Sequence, residues 1–191
     1  MVTPALAWPA WGKHAGVSYA VWAPAEPTER WLRRHGGPQL RALAGAVESA
    51  GDNPGYRRAA DAYDAAALLA DRPQDLLDLV ASIVLTRDGL AAIAKRTARP
   101  RPPCFLNPLH GCSTGIRQWT GVRFSCPHAE VPACSPCGSA RHEFDRQILR
   151  TLDYEGHSRP YFHVEGYWAR TGFGAFEPDL PRRVLERLKV D

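Results

Sequence analysis

The chain has 191 residues, 45% hydrophobic and 23% charged, enough for one medium domain or two small ones with a real apolar core. Net charge is +4, and residues 1–99 and 100–191 each carry 12 basic and 10 acidic side chains, so neither part is a basic tail that would grip nucleic acid without specificity. No run approaches the ~18 apolar residues of a membrane span, the longest (Leu76 to Leu85) is broken by Asp78, and no leader peptide is visible, so a cytoplasmic location is expected.

Residues 1–26 are rich in Trp, Pro and Ala, and read as irregular apart from a short strand at Val17–Trp22. Residues 27–98 read as a small helical bundle. Thr28 caps a short helix that stops at Gly36-Gly37, and Pro38 opens a second with Leu40, Leu43, Ala44 and Val47 on one face. Asn53-Pro54 restarts the chain into a helix with Tyr56, Ala59, Ala60, Tyr63, Ala66, Ala67 and Ala70 at helical spacing. A last helix follows Pro73, with Leu76, Val80, Ile83, Val84, Leu90 and Ala94 inward and Gly89 as a weak point.

The run Arg99-Pro-Arg-Pro-Pro103 cannot continue a helix and reads as an extended connector that limits coupling between its two sides. Beyond it, residues 100–191 read as a zinc-stabilised β-rich module with a C-terminal helix, which makes the fold class α+β. Strands are expected at Val122–Ser125 and Tyr161–Glu165. A helix is expected from Gly138 to Leu152, with Phe144, Ile148 and Leu152 aligned. Pro181 opens a final helix burying Val184, Leu185 and Leu188. The aromatics of Tyr154 to Phe176 read mainly as core.

All five cysteines fall between Cys104 and Cys137, interleaved with His110 and His128 and followed by His142. Five is an odd number, which suits metal ligands better than a paired disulfide framework. Zinc takes four tetrahedral ligands, commonly two from each of two loops. Cys134 and Cys137, in a C-x-x-C, supply one pair. The other pair comes from among Cys104, His110, Cys112, Cys126 and His128.

The segment Cys104-Phe-Leu-Asn-Pro-Leu-His110-Gly, with Val131-Pro-Ala-Cys134-Ser-Pro-Cys137 and Thr171-Gly-Phe-Gly-Ala175, resembles a module in uncharacterised actinobacterial proteins. The resemblance covers about the last half of the chain. It implies Cys104, His110, Cys134 and Cys137 as the metal set. It carries no established activity, and the membrane anchor that sometimes accompanies the module is missing here.

Three catalytic readings are weaker. His128-Ala-Glu130 before the C-x-x-C evokes a zinc deaminase, but three intervening residues cannot hold the helix and strand that separate those motifs. Cys112 with His110 or His128 offers a thiol nucleophile whose spacing metal ligation explains as well. A thioredoxin-like pair needs a strand and a helix start, and Pro132 with Pro136 favours a knuckle. Arg117, Trp119, Arg123 and Phe124 interleave basic and aromatic side chains, a pattern that can stack bases and neutralise phosphates. The expected function is therefore a non-catalytic, zinc-stabilised scaffold or protein-interaction module, its protein partner unidentified. The alternatives are weak nucleic-acid binding through the Arg/Trp hairpin and a metal- or cysteine-dependent enzyme.

Overall fold

The computed structural model describes residues 23–119, 130–139 and 147–189. In chain order the elements are α1 (Glu29–Glu48), α2 (Tyr56–Asp71), α3 (Leu76–Ala94), β1 (Gly115–Gln118), β2 (Glu130–Ala133), α4 (Ser135–Ser139), β3 (Arg150–Leu152), β4 (Ser158–Pro160), α5 (Tyr167–Thr171) and α6 (Leu180–Leu188). The fold is mixed helix and sheet. Its sheets are two antiparallel pairs, β1 with β2 and β3 with β4. Among the described residues the part after Pro103 is thus built from turns and short helices more than from strands. The strands expected at Val17–Trp22 and Val122–Ser125 lie outside the described residues.

Helix α1 is continuous through Gly36-Gly37 and contains Pro38, where the sequence suggested two helices. Thr28 caps it as expected, its hydroxyl accepting from the Trp31 N–H. Proline removes one backbone bond, but a break would scatter Leu32, Gly36 and Leu43, which lie on one stripe facing α3. A side chain at Gly36 would meet Ile83 at 3.0 Å, so the two helices touch there. Packing along the stripe outweighs the lost bond.

Helix α2 turns its alanines inward: Ala59, Ala62, Ala65, Ala66 and Leu69 are buried, while Tyr56 is exposed. Helix α3 begins at an Asp75 cap and is buried nearly all round from Leu77 to Arg87. A helix apolar on all faces must be central. Asp78, which interrupts the apolar run, is itself buried, accepting from the Gln74 N–H and from the Trp168 indole at 2.8 Å.

Gly89 is a contact point and not a weak one. A Cβ there would lie 2.9 Å from Leu43 and 3.1 Å from Ala62, so its absence lets α1, α2 and α3 meet. We expect Gly89→Val to cost about 1–3 kcal/mol by overpacking. Gly89→Ala should cost less than valine, because its single Cβ makes the smaller clash and helix propensity offsets part of it. Urea unfolding of the two variants measures this, and a fully stable valine variant would contradict the packing.

Apolar packing runs across the proline segment. Leu32, Leu79, Ile83 and Leu85 share one continuous core with Cys104, Phe105, Leu109, Tyr161 and Phe173. The N-terminal stretch also crosses over: the Ala25 carbonyl accepts from the Arg150 N–H at 2.7 Å, and the Pro24 carbonyl from the Asn107 amide. Pro100–Pro103 therefore marks a change in architecture within one hydrophobic core.

Two further expectations are corrected. Tyr161–His163 is a 3-10 turn, with Tyr161 and Phe162 both buried, whereas a strand would send neighbours to opposite faces. The helix expected from Gly138 to Leu152 has ended before Arg150, where β3 begins, and Leu152 is exposed. Ile148 is buried as expected, and Phe144 lies outside the described residues. Helix α6 buries Val184 and packs Leu185 and Leu188 at the edge of the core.

Candidate metal centre

Two loops build the site. The first leaves the proline segment at Cys104 and curls through a 3-10 turn, Pro108–His110. Asn107 caps that turn, accepting from the Leu109 N–H at 3.1 Å. The second loop follows β2: Cys134 comes directly after the strand, α4 carries Cys137, and the Gly138 N–H returns to the Cys134 carbonyl at 2.7 Å. In each loop the backbone N–H three residues on donates to the first cysteine sulfur, Asn107 to Cys104 and Cys137 to Cys134. The loops are joined by the Phe105 N–H donating to the Pro132 carbonyl at 2.8 Å.

One ligand atom from each of Cys104, His110, Cys134 and Cys137 lies within 4.8 Å of every other. The His110 Nδ1 sits 3.2 Å from the Cys137 sulfur and 3.7 Å from that of Cys134. With a Zn–S bond of about 2.3 Å and a Zn–N bond of about 2.0 Å, tetrahedral geometry sets sulfur and nitrogen roughly 3.5 Å apart. The four residues can therefore hold a metal ion. The three cysteines are buried and His110 is half-buried.

The three thiols are strongly linked to one another. Thiol hydrogen bonds from Cys134 and Cys137 hold Cys104 well below the ordinary thiol range. The reciprocal interaction with Cys104 pushes Cys134 up to about 11 and raises Cys137 as well. Cys134 and Cys137 are thus held as thiols beside a Cys104 thiolate, and a dication bound by all three would be what lets them ionise together.

A buried shell holds the first loop still. Arg87 of α3 donates to the Leu109 carbonyl at 2.5 Å and to the Gln39 side chain at 3.0 Å. The Tyr161 hydroxyl donates to the Phe105 carbonyl at 2.7 Å, and the Leu149 N–H to the Leu106 carbonyl at 2.8 Å. Phe105 packs among Tyr161, Phe162 and Phe176, with ring centroids 5.2–5.8 Å apart. Sequence reasoning missed Arg87, Asn107 and Tyr161 as supports. Only Asn107, a capping residue followed by proline, carried a local signal.

The other candidates go elsewhere. Cys112 stands outside the cluster and lines a separate cavity of about 320 Å³. Burial pushes its thiol above the ordinary value, which leaves it a protonated, weak nucleophile. Cys126, His128, Arg123 and Phe124 lie outside the described residues. Arg117 donates to the Cys137 carbonyl, so it braces the metal knuckle. Trp119 packs edge-on against Phe105 and Phe162, at 6.5 and 5.6 Å, as part of the core margin. Both described members of the proposed Arg/Trp strip thus have structural roles. His163 is exposed on its own turn. A second grouping, Asp153, Glu155 and His157, closes the β3–β4 hairpin, where Asp153 accepts from the N–H groups of Glu155 and His157.

Among the described residues no helix is long and apolar enough to cross a membrane. No protein-family model, curated protein or solved structure matches the chain.

Proposed function

We propose that the protein is a zinc-stabilised, non-catalytic scaffold that binds another protein. The observation that carries this reading is the closed donor set: three buried cysteines and one histidine, brought together by two interlocked loops. Soft thiolates in a tetrahedral set favour zinc over the hard cations, and four protein ligands leave no coordination position for substrate. Free thiols in this number also suit a reducing cytoplasm. The partner surface draws support from Ile116 on β1 and from Leu152 and Tyr154 on the second hairpin, all solvent-exposed. The likeness to the actinobacterial module belongs to the same reading and points to a bacterial protein.

Protein prepared under reducing conditions without chelator should hold close to one zinc per chain. X-ray absorption should show a shell of three sulfurs and one nitrogen. An exchangeable oxygen in that shell would favour the enzyme alternative. Photo-crosslinking from position 116 or 154 in cells should trap one recurrent protein. Recovery of nucleic acid in its place would favour the hairpin alternative, and trapping nothing counts against a scaffold.

A further inference from the structure

Pro108, Gly111 and Cys112 of the first loop, but none of the four cluster residues, line the cavity of about 320 Å³. Its volume falls within the ordinary range of small-molecule sites. Val84 of α3, Phe173, Phe176 and Leu180 give it an apolar lining. Five prolines, Pro100, Pro102, Pro103, Pro108 and Pro178, also line it. Proline offers no backbone N–H, so these residues make stiff apolar wall and cannot donate to a ligand. Polar recognition there falls to side chains.

The side chains are strongly one-signed. Four arginines, Arg58, Arg87, Arg99 and Arg101, line the cavity against the single carboxylate of Asp88. Two of the four have fixed structural duties. Arg58 forms a two-point ion pair with Asp88 at 2.7 and 3.0 Å and also donates to the Pro178 carbonyl. Arg87 holds the Leu109 carbonyl. Arg99 and Arg101 differ. Both are exposed, they alternate along the extended proline segment, and among the described residues neither guanidinium has a hydrogen-bond or ion-pair partner. Asp88 is engaged by Arg58, so the charge left over at the mouth is positive. Phe173, with φ 55°, sits in the turn that walls the cavity and stacks on Trp168 at 5.3 Å.

We propose that this cavity binds a small amphipathic anion, a carboxylate or phosphate on a compact apolar body, with the body against Phe173, Phe176 and the prolines and the charged head between Arg99 and Arg101. Guanidinium groups pair with either head through charge-assisted, often two-point hydrogen bonds. The apolar wall supplies the remaining affinity by area removed from water. Cys112 lies inside the site and serves as its reporter.

The test uses the full-length, metal-loaded protein. Titration calorimetry is run with 3-phenylpropionate, octanoate and phenyl phosphate, and with 3-phenylpropionamide as the neutral control. In parallel, iodoacetamide labelling of Cys112 is followed by peptide mass mapping. At least one anion should bind and slow Cys112 labelling, and the amide should bind roughly tenfold or more weakly than the matching acid, the loss of a charge-assisted pair. The three anions separate aromatic from aliphatic bodies and carboxylate from phosphate heads. The variant R99A/R101A should lose the acid-over-amide preference while its ligand-free melting midpoint stays at the wild-type value. Equal binding of acid and amide overturns the proposal. So does retention of the preference in the double variant, or an absence of both heat and protection at ~10 mM ligand, where even a millimolar site fills.

Discussion

Removing the metal, by chelation or by Cys134→Ser, should loosen α3 together with the cysteine loops. Structural zinc supplies roughly 10–16 kcal/mol of apparent folding free energy in finger peptides. A domain of this size has a total stability of only about 5–15 kcal/mol. The sequence suggested that the helical bundle would survive this loss behind its proline connector. The packing gives a different expectation. One side of α3 is covered by α1 and α2, but Val84 and Arg87 face the loop region, and Phe105, Leu109 and Phe173 share the core of Leu79 to Leu85. With the loops released, α3 exposes that flank to water and loses the Leu109 anchor. Amide exchange with and without chelator should therefore show protection falling in Leu79–Leu85 and Cys104–Leu109 together. Undiminished protection across α1, α2 and α3, with loss confined to residues 104–137, would show two independent units and defeat this expectation.

Arg87→Met should destabilise the protein by about 3 kcal/mol and weaken its hold on the metal. The Arg87 side chain is buried, and its guanidinium satisfies both the Leu109 carbonyl and the Gln39 amide oxygen. Methionine fills similar space but leaves the buried Leu109 carbonyl without its donor, at a cost of roughly 1–3 kcal/mol, and the half-buried Gln39 loses a charge-assisted bond as well. Leu109 precedes His110, so the damage reaches the ligand directly. Arg87→Lys keeps the charge but cannot serve both acceptors with the same fork, and should fall between the two. Urea unfolding gives the stability change, and competition with a chromophoric chelator gives the metal affinity. A methionine variant within 1 kcal/mol of wild type, about the size of one ordinary hydrogen bond, would remove Arg87 from the support of the site.

The candidate metal ligands were legible in the sequence to the extent that they are local. Cys134-Ser-Pro-Cys137 places two sulfurs on one knuckle by spacing alone, and Cys104 and His110 bracket a single capped turn. Which pair completed the set was open from the residues, and only the resemblance selected Cys104 and His110. Cys112 is two residues from His110, yet it points to a different cavity. The positive φ of the intervening Gly111, 95°, belongs to a backbone turn that spacing does not reveal.

The sequence by itself determined a mixed helical and stranded chain, an apolar helix after Pro73, the cap at Thr28, and a cluster of soft ligands after residue 103. These follow from periodicity, capping chemistry and ligand type, all local properties. Only the tertiary structure decided the rest. Pro38 stays inside a helix because packing on α3 outweighs one backbone bond. Tyr161 and Phe162 leave the strand pattern because both are needed in the ring cluster around Phe105. Arg117 and Trp119 become braces because Cys137 and Phe105, distant in sequence, come within reach. The proline segment joins instead of separating, because α3 is too apolar to be covered by two helices alone, and the residues that complete its cover lie on the far side of that segment.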